Sequence, residues 1–273
     1  MPIKTDLIKL EKIALEHSAP EKDVKEKKLL FIHSSGHGSW MWKNFLPYFA
    51  GRGFDSWAVN LRGHHLSGPV KDWSAVGVNE YLEDIDLAVK KLGRNVVLVG
   101  HSMSGLLVLK YAEAHNVAGL IVSQSGPPKS VMKKRGIEMK GPSPAKPGRT
   151  MKDGAILPMQ DRELVAATLF DRGNVEKESV DLVLDMLGEE SVRATKEIVN
   201  MPVDPAKITA PVYILGFETS KIGAKIPVDI NKVLAEEFKA RGFAVIEPGG
   251  HNYMLEKNWQ DFARQFEAWI EFS

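Results

Sequence analysis

The run Asn95-Val96-Val97-Leu98-Val99-Gly100-His101-Ser102-Met103-Ser104-Gly105 constrains this chain more than any other stretch. Its β-preferring residues suit a strand buried on both faces, and the pattern from Leu106 to Ala114 suits a helix. Ser102 therefore stands at a strand-to-helix turn, where a hydroxyl can be made reactive. A turn that sharp brings backbone close to its neighbours, and Gly100 and Gly105 leave the room.

The rest of the chain alternates in the same way. Ile8 to His17 reads as an edge strand or hairpin, and Leu29 to His33, Trp57 to Leu61, and Val117 to Ser123 as strands. Asn79 to Leu92 repeats its apolar residues at helical spacing and meets a stop at Gly93. After Ser125 the texture changes. Gly126 to Gly154 is rich in Pro, Gly and Lys, and helical patterns follow at Asp161 to Phe170, Glu176 to Leu187 and Glu190 to Asn200. Alternation resumes with a strand at Val212 to Gly216, a helix at Asp229 to Ala240, a strand at Phe243 to Ile246 and a closing helix at Trp259 to Phe272. The expectation is an α/β fold with a mostly parallel central sheet flanked by helices. Residues 1–125 and 207–273 would form its core, and 126–206 a helical lid inserted after the sixth strand.

Composition narrows the function. The formal charge is +1, from 36 basic and 35 acidic residues, so no overall field draws the chain to nucleic acid or an anionic membrane. A small neutral substrate fits better. The absence of cysteine removes disulfides, thiolate metal sites and a cysteine nucleophile. Met1 to Pro20 lacks the apolar core of a signal peptide, and no run reaches membrane-spanning length, so the expectation is a soluble cytoplasmic protein without membrane insertion. A homodimer remains open.

A reactive serine needs a base, an acid to orient that base, and N–H donors for the oxyanion. His251, in Glu247-Pro248-Gly249-Gly250-His251-Asn252, follows the last strand pattern and precedes the closing helix, which suits a base reaching Ser102. His37 and His101 flank the presumed site, whereas His17, His64, His65 and His115 read as surface or loop residues. The pairs His33/His37 and His64/His65 have metal-like spacing but no carboxylate within either motif, so no metal is expected. The small-residue loop Ser34 to Ser39 can lend backbone N–H groups to an anion.

Taken in this order, each after a strand pattern, these motifs resemble the α/β-hydrolase superfamily over essentially the whole chain. The likeness rests on Gly100-His101-Ser102-Met103-Ser104-Gly105, His33-Ser34-Ser35-Gly36, Leu61-Arg62-Gly63-His64 and Gly250-His251. The stretch His33 to Trp40 is also similar to the corresponding loop of the plant methylesterase and hydroxynitrile lyase branch. The resemblance implies that Ser102 is the nucleophile, His251 the base, and Ser35 and Met103 the oxyanion-hole donors, with Ser34, His37 and His101 as substrate contacts. Family pattern places an Asp where Thr219 stands, so Glu218, one residue earlier and one methylene longer, takes the role of acid. The implied activity is hydrolysis of small to medium carboxylic esters without a cofactor. Two alternatives stay open: a hydroxynitrile lyase-like carbon–carbon lyase, motivated by Ser34, and a non-catalytic ligand-binding member of the fold. Against the lyase, Asn252 stands where that branch carries lysine.

Overall fold

The computed structural model describes residues 3–136, 150–216 and 229–272. A hairpin of β1 (Thr5–Lys9) and β2 (Ala14–Ser18) opens the chain. Then come β3 (Lys28–Ile32), a 3₁₀ turn at Ser39–Trp42, α1 (Phe45–Ala50), β4 (Asp55–Asn60), α2 (Val78–Leu92), β5 (Val96–His101), α3 (Met103–Ala112) and β6 (Gly119–Ser123). Next are α4 (Lys129–Lys134), β7 (Met151–Lys152), β8 (Ala155–Ile156), α5 (Arg162–Leu169), α6 (Lys177–Met186), β9 (Glu190–Ser191) and α7 (Val192–Asn200). The chain closes with β10 (Val212–Leu215), α8 (Ile230–Glu237), β11 (Gly242–Ala244) and α9 (Trp259–Phe272).

Eight strands form one sheet in the order β1-β2-β4-β3-β5-β6-β10-β11, antiparallel only where β2 meets β1 and β4. Alternate residues of its central strands enter two separate apolar cores. Leu30, Ile32 and Leu98 pack with Tyr81 and Ile85 of α2 and Leu107 of α3. Leu29, Phe31, Val97 and Val99 pack on the other face with Phe45 and Phe49 of α1 and Phe262 and Phe266 of α9. Covering both faces explains why these strands read as unbroken apolar runs. Each fully buried leucine or phenylalanine side chain contributes roughly 1.5–3 kcal/mol.

One polar group enters this core on purpose. Asp84 lies on the inward stripe of α2, fully buried, and takes the Arg62 guanidinium through Nε (3.0 Å) and Nη2 (2.7 Å) and the Arg62 N–H (2.8 Å). Burial pushes the Asp84 carboxyl upward, against the pull of Arg62. The pair anchors the turn after β4, and it delivers His64 to the interior. His64, expected as a surface or loop residue, lies in the loop after β4 but is only 1% exposed.

β6 and β10 pair directly in parallel, so the segment between them leaves the sheet and returns to it. It carries α4 inside the Pro-, Gly- and Lys-rich stretch, where Lys134 and Arg135 pair with Glu237 and Glu236 of α8. Glu190 pairs with Ile156 in a small three-stranded sheet, so α7 begins at Val192 rather than at Glu190. No described helix is long and apolar enough to cross a membrane.

Candidate active site

Ser102 joins β5 to α3 with φ 56° and ψ −113°, a backbone region that costs a non-glycine residue about 1–3 kcal/mol. Two bonds hold it there. Its N–H donates to the Ser123 carbonyl (2.8 Å), and its own carbonyl accepts from the Gly105 N–H (3.0 Å). A Cβ at Gly100 would strike the Ser104 backbone and one at Gly105 the Ser125 side chain, so the close approach expected from the sequence is real. The first-turn N–H groups of α3 face this turn and favour negative charge there.

The registers Ile32 with Gly100 and His101 with Ser123 bring the ends of β3, β5 and β6 level, which sets the loop after β3 beside the elbow. That loop is pinned by its own histidines. The Ser34 carbonyl accepts from the His37 N–H (3.1 Å) and from His33 Nδ1 (2.8 Å), and the Ser35 carbonyl accepts from His37 Nδ1 (2.8 Å). Among the described residues, neither the Ser35 N–H nor the Met103 N–H donates to a protein acceptor. Ser104 is fully buried and its hydroxyl donates to the His33 carbonyl, so its polarity ties the elbow helix to this loop rather than facing a substrate.

Three imidazoles here are neutral. His33 Nε2 accepts from the Leu61 N–H (3.1 Å) and His37 Nε2 from Asn252 Nδ2 (3.2 Å), so each ring carries its one proton on Nδ1. Burial pulls His37 down to about 4 and holds His33 well below the usual histidine value, the nearby His64 adding to the shift of His33. His101, fully buried beneath the turn, is likewise pulled well down by burial and then by His251.

His251 lies in the loop after β11, its ring centroid 4.6 Å from that of His101, the residue preceding Ser102. The backbone before it is clamped from both sides. Gln124, at the end of β6, donates from Nε2 to the Gly250 carbonyl (3.1 Å), and the Gly250 N–H donates to Glu256 (3.0 Å). Glu256 also accepts from the Asp171 N–H (2.6 Å) and Asn174 Nδ2 (2.9 Å), and the Asn252 N–H reaches the Leu169 carbonyl (2.6 Å). The loop bearing His251 is thus seated against the end of α5. Ser34 and His37 are each 3% exposed, while Ser35, Ser102, Met103 and His251 are partly open to solvent. Glu218 and Thr219 lie outside the described residues. Gln124 and Glu256 carry no sequence signal, because one looks like a position lacking an acid and the other like a solvated one.

The alpha/beta hydrolase family model matches residues 29–265. The chain belongs to the alpha/beta hydrolase family. A comparison with curated protein sequences returns no match. Among solved structures, this chain is similar to a methylesterase, MES16, from Arabidopsis, at 17% identity and a TM-score of 0.67, covering 90% of this chain and 100% of that one. It is similar to tomato methylketone synthase I complexed with 2-tridecanone, at 14% identity and a TM-score of 0.69, over 90% and 99% of the two chains. A thioesterase domain from the curacin biosynthetic pathway matches at 16% identity and a TM-score of 0.65, over 99% of both.

Gly250 shows how tightly the chain packs around the His251 loop. A Cβ there would collide with the Asp171 N–H, the Phe170 carbonyl carbon and the Glu256 carboxylate. Gly250→Ala is therefore expected to cost about 1–3 kcal/mol of stability, as overpacking does. Urea denaturation checks it, and an unchanged midpoint would mean that the α5 end yields freely.

Proposed function

We propose that this chain hydrolyses small to medium carboxylic esters through an acyl-enzyme on Ser102. The observation that carries the reading is the placement of Ser102, held in left-handed backbone at the N-terminus of α3 beside the loop of His251. Ser102 Oγ attacks the ester carbonyl as its proton passes to His251. The tetrahedral oxyanion is received by the N–H groups of Ser35 and Met103, which have no competing protein acceptor among the described residues. His251 then gives the proton to the departing alcohol, and a water molecule, deprotonated by the same histidine, releases the acid. A neutral His101 beside it leaves the imidazolium unopposed. Glu218 orients His251 in this scheme, on the strength of its place in the sequence. The segment 126–206 roofs the pocket as a lid and selects the substrate. A methylesterase and a thioesterase domain among the similar structures agree with acyl transfer.

A fluorophosphonate probe tests the reading directly. The expected result is one label per chain, located on the Ser102 peptide, together with cleavage of p-nitrophenyl esters in a panel of graded acyl length. Folded protein that neither labels nor cleaves would overturn it, and cyanide release from mandelonitrile without ester cleavage would favour the lyase alternative.

A further inference from the structure

Glu190 is a buried carboxylate that this mechanism leaves unused. It comes from β9, between β6 and β10, and is 2% exposed. Its Oε1 accepts from the Tyr81 hydroxyl (2.5 Å) and the Ser191 N–H (2.7 Å), and its Oε2 accepts from the Gly36 N–H (3.1 Å) and faces His64 Nε2 at 3.3 Å. Burial works against charge on both partners. Even so, Glu190 raises the imidazole of His64, and His64, followed by Tyr81 and the Ser191 N–H, brings Glu190 down to about 2. Across this buried contact each partner favours the charged form of the other. Such a pair is weak evidence for stability, since apolar groups of the same volume do as well. What it holds is more telling.

The Gly36 N–H belongs to the peptide unit directly after Ser35. The carbonyl of that unit accepts from His37 Nδ1, and the next carbonyl, of Gly36, accepts from the Gly188 N–H (2.8 Å). The peptide following Ser35 is thus fastened at its carbonyl by the His37 ring of the same loop and at its N–H by Glu190, with a second tie from Gly188. Among the described residues the Ser35 N–H has no protein acceptor. We infer that Glu190 is a positioning residue, which aims the Ser35 N–H at the oxyanion by holding the Gly36 N–H from the segment between β6 and β10. The Tyr81 hydroxyl and the Ser191 N–H donate to the same carboxylate and His64 faces it at 3.3 Å, so its negative charge is spread over these partners rather than turned on the oxyanion. The inference rests on the ester-hydrolase reading and on Ser35 as an oxyanion donor.

The test measures turnover per active site, with sites counted by fluorophosphonate titration so that misfolded protein drops out. Glu190→Ala is expected to lower kcat by about 10–100-fold with KM within about threefold, because the loss falls on the transition state. The affinity of a trifluoromethyl ketone, which forms a tetrahedral adduct, should fall in parallel. Glu190→Gln, which keeps an oxygen for the Gly36 N–H, should recover most of both. If Glu190→Ala does not fold, Glu190→Asp takes its place, since it keeps a carboxylate in the buried site but draws it back by one methylene from the Gly36 N–H. Wild-type kcat per site in Glu190→Ala, or in Glu190→Asp where it stands in, overturns the role of Glu190 while leaving the ester-hydrolase reading intact, and so does a loss of kcat with unchanged ketone affinity. Wild-type protein that neither labels nor turns over ester overturns both.

Discussion

Ser102→Ala is expected to lower ester turnover by about 10⁶-fold and to abolish fluorophosphonate labelling, the size of loss seen when the nucleophile of a serine triad is removed. The residual rate comes from binding and the oxyanion donors, which the substitution leaves in place. A second variant separates chemistry from backbone. Ser102 has φ 56°, which a serine adopts only under strain and a glycine adopts freely. Ser102→Gly should therefore be as inactive as Ser102→Ala yet more stable than wild type by about 1 kcal/mol, the lower end of the strain that such a residue stores. Steady-state kinetics and urea denaturation read the two effects independently. Full activity in Ser102→Ala would remove Ser102 from the reaction, and a Ser102→Gly variant less stable than wild type would mean that the turn carries no strain to release.

Acidification is expected to destabilise the fold steeply between about pH 6.5 and 4. His37 binds its proton at about 4 in the folded chain, against an ordinary histidine value near 6.5, and His33 and His101 are also held well down. Between those values the unfolded chain takes up protons that the folded chain refuses, so stability falls as pH falls. For His37 alone, 3% exposed, the difference is worth about 3 kcal/mol once the pH reaches its folded value. His64 has the opposite sign. Its raised value gives stability that is complete below the unfolded value and lost as pH rises through the folded one, so it offsets nothing on the acid side. Asp84 and Glu256, both raised by burial, recover some stability as they protonate. Glu190, depressed to about 2, withdraws more only below its unfolded value of 4.5. Urea denaturation at a series of pH values measures the slope, and His37→Gln should flatten it. A flat wild-type profile over this window would show that the imidazoles are not held neutral.

Much of this molecule was legible in its residues because the signals are local. Val96 to Val99 is apolar at every position, which only a strand covered on both faces tolerates, and the structure places it at the centre of the sheet. Gly93, with φ 86°, ends α2 where its spacing predicted. His64 was not legible. Its neighbours in sequence are polar and loop-like, and its burial goes with Asp84 holding Arg62 from a position almost two turns into α2. Asp84 itself occupies the apolar stripe between Tyr81 and Ile85, where a sequence pattern offers no partner for a carboxylate. Glu190 was read as the beginning of a helix because it precedes one, and its pairing with β8 comes from elsewhere in the chain.

The sequence alone determined the alternation of strands and helices, the elbow at Ser102 and the place of His251 after the last strand, since these follow from periodicity and turn chemistry within a few residues. Tertiary structure alone decided which polar groups are buried and against whom. Gln124 and Glu256 close on Gly250, Glu190 closes on Gly36, and His33, His37 and His101 are stripped of water until they stay neutral. The physical reason is that a charge or hydrogen-bonding group acquires its energy from the partners and the dielectric around it, and both are supplied by segments far away in the chain.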